Sequence, residues 1–126
     1  MARVIVASVL TTTAAGTRVE VCSYTVPPGK KFILKVIGCG GEPTTWSTTE
    51  ASLGYVYPGV NSIDYRGMEV RNMQGDATGV NIQYLIVPIP GGIEFTAGEK
   101  IGIYCDPAGT TSSRWKGIII GDEVTA

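Results

Sequence analysis

No window of a dozen residues in this chain repeats its apolar side chains at the 3.6-residue period of a helix. Short extended runs recur instead, each closed by residues that reverse a backbone. The runs are Arg3–Leu10, Thr17–Thr25, Lys31–Ile37, Gly54–Tyr57, Met68–Asn72, Val80–Val87, Gly92–Phe95, Lys100–Cys105 and Arg114–Ile120. Between them stand TAAG, VPPGK, YPG, QGDATG, PIPGG, TAGE and DPAG, whose Gly, Pro and Asp supply turn conformations. One short helix is conceivable over Thr48–Leu53, and its threonines argue against it. With 126 residues, one domain can bury about two-thirds of its unfolded surface. Residues 1–126 are therefore expected to form a single all-β domain.

Several runs alternate apolar and polar residues, as a strand with one buried face must. Ile101, Ile103 and Cys105 share a side, as do Val80, Ile82 and Tyr84. In Thr17–Tyr24, Val19, Val21 and Ser23 oppose Arg18, Glu20, Cys22 and Tyr24. Three segments break the rule by being apolar on both sides: Val4-Ile5-Val6, Ile33-Leu34 with Val36-Ile37, and Ile118-Ile119-Ile120. An antiparallel sandwich normally keeps one face of each sheet wet. Doubly apolar strands imply that a second face is covered, by a loop or by another copy of the chain. Val4, Val6, Ile118 and Ile120 are the expected oligomer-interface residues.

Charge and residue counts remove whole classes of function. Net charge is −1, and the only basic pair, Lys30-Lys31, sits in a Pro-Gly turn. Nucleic-acid binders carry a basic stripe with interleaved aromatics, and none is present. Histidine is absent, which removes the commonest general base, His-paired nucleophiles and imidazole zinc sites. Cys22, Cys39 and Cys105 lie far apart without C-x-x-C spacing, too few for a structural zinc site. They read as buried reduced thiols, with one disulfide plus a free thiol as the alternative in an oxidising setting. No cofactor or metal is expected. The N-terminal MARVIVASVLTTTAAG meets the lower limit for a secretory signal, but its β-branched run reads as a first strand and is too short to span a membrane.

Four motif-like stretches dissolve under their own chemistry. GCGGEP (Gly38 to Pro43) follows a strand, as a dinucleotide cradle would, but Pro43 replaces the third glycine and no amphipathic helix follows. Its glycines are expected to act as a hinge with positive φ at the end of the strand. Gly29-Lys30 lacks the upstream glycine and following Ser/Thr of a phosphate loop. SRWK (Ser113 to Lys116) places its Ser and Lys on opposite sides of a strand. Glu94 and Glu99 flank TAGE, a candidate acid/base pair whose simpler reading is solvated hairpin charges. The segment TTWSTTEASLGYVYPG is different: Trp46, Tyr55 and Tyr57 among small polar residues can form a flat aromatic surface for a sugar or a partner protein.

The last third, PGGIEFTAGEKIGIYCDPAGTTSSRWKGIIIGDEV, runs apolar strand, Gly-Glu turn, alternating strand, polar loop and aromatic-x-Gly strand. This order resembles the C-terminal half of tumour-necrosis-factor-like and complement-head jelly rolls. With TVPPGKKFILKVIGCG it is similar to small β-sandwich proteins that form or decorate viral capsids and phage fibres, including virion proteins of archaeal viruses. The resemblance implies a jelly-roll-like antiparallel β-sandwich of about eight strands. It also implies Gly98-Glu99 as a hairpin turn and Trp115, Gly117 and Ile119 on a late central strand. Its members form trimers through the outer face of one sheet, though this chain lacks the aromatic seam that receptor-ligand members place at the trimer axis. The expected role is then a non-enzymatic structural protein, a homo-oligomer located in a virion or host cytoplasm, touching itself and other virion proteins. A carbohydrate- or ligand-binding module, with a surface glycan on Trp46, Tyr55 and Tyr57, is the alternative. Neither nucleic acid nor membrane is an expected partner.

Overall fold

The strands pair from the two ends of the chain inwards. In the computed structural model, β1 (Ala2–Thr12) lies against β9 (Ser113–Thr125), and β2 (Val19–Thr25) lies against β8 (Lys100–Pro107). Next, β3 (Lys30–Pro43) pairs with β7 (Gln83–Thr96). At the bend of this long hairpin β4 (Gly54–Val60) takes two short partners, β5 (Ile63–Asp64) and β6 (Val70–Asn72). Rolling the hairpin closes it, because β9 also pairs β3 and β8 also pairs β4. The result is a four-stranded sheet, β1-β9-β3-β7, and a five-stranded sheet, β2-β8-β4-β5 with β6 beside β4. Every pairing is antiparallel, and chain order alternates between the sheets in the jelly-roll manner. The structure describes residues 1–12, 18–43, 54–61, 63–65, 68–72, 83–107 and 113–126. Both Thr48–Leu53 and the Val80–Ile82 part of the expected strand Val80–Val87 lie outside those residues.

Alternation positions the core. Ile101, Ile103 and Cys105 on β8 are fully buried, as their spacing predicts, and face Phe32 on β3 and Trp115 and Ile119 on β9. Burying one such side chain stabilises the fold by roughly 1.5–3 kcal/mol. Trp115 fits only because its register partner on β3 is Gly41: a Cβ there would stand 2.5 Å from the indole Cε3. The turn at Gly98-Glu99 forms as expected, with Gly98 at φ 90°. Glu99 fixes it by accepting hydrogen bonds from the Thr96 backbone N–H at 2.8 Å and its hydroxyl at 2.9 Å.

Three sequence expectations are corrected by the pairing. GCGG is no hinge: β3 runs unbroken through Pro43, and neither Gly38, Gly40 nor Gly41 has positive φ. PIPGG does not separate two strands. Pro88 pairs Val36 and Ile93 pairs Leu34, so the extra residues form a bulge inside β7, with Gly91 at φ 79° and Gly92 at 77°. Prolines are tolerated there because β7 is an edge strand. Finally, the strict alternation read over Thr17–Tyr24 fails at a register shift between Glu20 and Cys22, which turns Cys22 into the core beside Val21.

Candidate assembly surface on the four-stranded sheet

Side chains directly opposite one another across a sheet share a face. Since Trp115 and Ile119 point inward, the alternate residues of β9 point out, and the registers extend that set to every strand of the sheet. One outward row reads Ile5, Ile120, Val36, Pro88, and the next reads Ala7, Ile118, Gly38, Ile86. Both rows are wholly apolar and cross all four strands. Ile5 is 61% exposed and Ile86 is 67% exposed, with Val9 beyond them at 58%. Over Gly38, which carries no side chain, the surface dips into a hollow of about 150 Å³ walled by Ile86, Ile118, Tyr84 and Lys116.

Charged residues rim the apolar rows at both ends. At one end Arg3 lies 3.7 Å from Asp122 and Lys31 lies 3.2 Å from Glu94. At the other, Gly40 separates Lys116 from Tyr84, so the lysine crosses β3 above it and donates to the Tyr84 hydroxyl at 3.2 Å. Glu42 completes this cluster, 3.2 Å from Lys116 and 3.3 Å from Arg114. The bonds to Tyr84 and then Glu42 hold the Lys116 ammonium above its ordinary pKa, so it stays charged. An apolar centre inside a polar rim of both signs is the layout of a protein–protein contact.

The outer face of the other sheet buries two of its rings. Tyr57 and Tyr104 are register partners on it, yet Tyr57 is fully buried and Tyr104 nearly so. The Tyr57 hydroxyl donates to Asp106 at 2.7 Å, and the Arg18 guanidinium lies 3.6 Å above the Tyr104 ring while reaching Asp64 at 3.0 Å. These groups stabilise one another and hold the Tyr57 and Tyr104 rings away from solvent.

The expected site residues divide accordingly. Ile118 and Ile120 lie on the outward rows. Val4 and Val6 do not: they oppose Gly121 and Ile119 and pack against the core, and it is Ile5 between them that faces out. A doubly apolar strand shows which residues alternate but not which set is buried. Tyr57, expected on an aromatic platform, is interior, Tyr55 is half-buried, and Trp46 lies outside the described residues. Ile5 and Val36 belong to the doubly apolar segments without being expected at the interface, and nothing in the sequence pattern marks Val9 or Ile86 for it.

Other chemical candidates are engaged elsewhere. Glu94 pairs with Lys31, and Glu99 staples its turn through Thr96, whose donors hold its carboxyl below the usual range. The three cysteines are free thiols, all buried. Among the described residues no group of His, Cys, Asp and Glu is placed to hold a metal ion. Among the same residues no helix is long and apolar enough to cross a membrane. Between the sheets, at the β7 side, lies an apolar cavity of about 270 Å³ lined by Leu34, Val60, Met68, Phe95 and Ile101, with Tyr65 beside them.

No family model and no curated protein matches the sequence. Solved structures with a similar course include the acidic stable capsid of Helicobacter pylori bacteriophage KHP30, at TM-score 0.47 and 10% identity over 99% of this chain and 98% of that one. A second is the decameric BFDV capsid protein, at TM-score 0.41 and 9% identity, covering 97% and 98%. A third is a family 35 carbohydrate binding module from Clostridium thermocellum, at TM-score 0.36 and 9% identity, covering 98% and 92%.

Proposed function

We propose that this chain, as one jelly-roll domain, is a non-enzymatic structural protein of the capsid, decoration or accessory kind. In this reading it assembles with copies of itself, and with other proteins of a virion, through the outer face of the four-stranded sheet. The observation that carries the proposal is the contrast between the two outer faces. On one, Tyr57 and Tyr104 are buried and Arg18 lies over Tyr104, while the other presents two uninterrupted apolar rows to solvent. Apolar surface concentrated on one sheet and rimmed by charges favours association, because each contact removes it from water. The trimer implied by the sequence resemblance is one closed arrangement such a face permits.

The surface is tested at Ile86, which is exposed and remote from the inter-sheet core. Ile86→Lys would bury a charge in the contact while leaving the fold intact. Its self-association is expected to weaken by at least about tenfold, some 1.4 kcal/mol. The measurement is sedimentation velocity of the variant beside wild type across a concentration series. Unchanged sedimentation would remove this face from the assembly.

A further inference from the structure

The apolar centre of this face is small for the task given to it. Four strands at about 4.8 Å spacing and three to four outward residues at about 7 Å make roughly 400–540 Å². A standard stable interface buries about 800 Å² per partner. A subunit that builds an extended structure also needs a second kind of contact, since one closed contact ends at a ring. Resting on the assembly reading above, a second contact is therefore to be sought on the same sheet.

The strand edges differ sharply in how they are protected. Pro88, Pro90 and a bulge with two positive-φ glycines interrupt β7. A bulge at Glu20 to Cys22 likewise bends β2, and β5 is two residues long. β1 carries none of these devices. Its 11 residues, ARVIVASVLTT, contain no proline or glycine and a single charge, Arg3. Its register with β9 runs from Ala2 to Thr12 without a shift. Among the described residues nothing pairs with its other side. A long, regular, apolar edge left open is a template for another strand.

We infer that β1 pairs with β1 of a second copy, antiparallel, about a two-fold axis at Ala7. The outward side chains select this register. Ala7 is the midpoint between Ile5 and Val9, the two exposed large apolar residues of the strand. An axis there sets Ile5 opposite the second copy's Val9 and Val9 opposite its Ile5, with the two alanines between them. Cross-strand pairs of β-branched residues are the stabilising kind, and both become shielded together. Arg3 then falls opposite Thr11, so no like charges meet. The two four-stranded sheets join into one of eight strands, in which the apolar row through Ala7 continues across the seam into its own copy and the row through Ile5 meets the second copy's Val9 and then its Lys116.

The test uses the intact chain. Opposite residues in an antiparallel pair have Cα atoms about 4.5–5.5 Å apart, within disulfide reach. Ala7→Cys is expected to give a covalent dimer under mild oxidation, while Ala2→Cys, far from the axis, gives none. The native thiols do not compete because all three are buried. A charge exchange checks the register independently in an Ile86→Lys background, where face contacts are weakened. There Ile5→Lys with Val9→Lys is expected to yield monomers, and Ile5→Lys with Val9→Glu to restore dimers. Circular dichroism and thermal melts confirm that each variant is folded. A7C that stays uncrosslinked, or charge variants with the same mass, overturns the edge pairing. If wild type still assembles in that case, the face reading stands without it; a wild type that never assembles removes both.

Discussion

Cys22, Cys39 and Cys105 are held protonated by burial, which pushes their thiols from 9.0 up to about 11, 11 and 12. Tyr24 rises from 10.0 to about 12, first through desolvation and then through its hydrogen bond to Glu123. These four groups bind protons more tightly folded than unfolded. The associated stability is complete below about pH 9 and is lost as pH climbs from 9 through 12. The urea midpoint is therefore expected to be level from pH 7 to 8.5 and to fall steadily above 9, with a shallower fall in Cys105→Ala. A midpoint unchanged at pH 11 contradicts this. That the thiols are buried follows the tendency of Cys to pack as a small hydrophobe. Alternation puts Cys22 opposite Val21, and only the bulge at Glu20 brings it inward.

Strands are legible in the sequence where period 2 is unbroken, as in β8, and poorly so where glycine or proline interrupts a strand. GCGG and PIPGG look like punctuation, yet both lie inside strands. In the first, absent side chains make room for neighbours, Trp115 beneath and Lys116 above. Pairing across the chain determines such roles, and a single strand's sequence does not contain it. The bulge in β7 separates two reasons for glycine. A Cβ added at Gly91, where φ is 79°, would meet nothing within 4 Å, whereas at Gly92 it would stand 2.4 Å from Ile33 Cγ2. Gly91→Ala is expected to cost about 1 kcal/mol from backbone strain alone. Gly92→Ala is expected to cost about 2–4 kcal/mol, since strain and overpacking act together. Equal losses in denaturant unfolding would mean that the bulge yields freely at Ile33.

At the scale of the whole molecule, an all-β domain is foreseeable from turns and alternating strands, and its jelly-roll winding is what the family resemblance implies. The asymmetry of its two outer faces is not foreseeable. Val4, Ile5 and Val6 are equivalent on paper, and only register with β9 assigns the outer side to Ile5. Likewise the aromatics of β4 look like a display surface until Tyr57 is found closed against Asp106. Among the described residues one apolar sheet face and one unprotected edge are open to water, and in the proposed reading a second copy covers both. Static light scattering of wild-type protein over a wide concentration range tests this most directly. Assembly gives a mass that is a multiple of the 13.3 kDa chain and rises with concentration. A mass of 13.3 kDa at every concentration contradicts it.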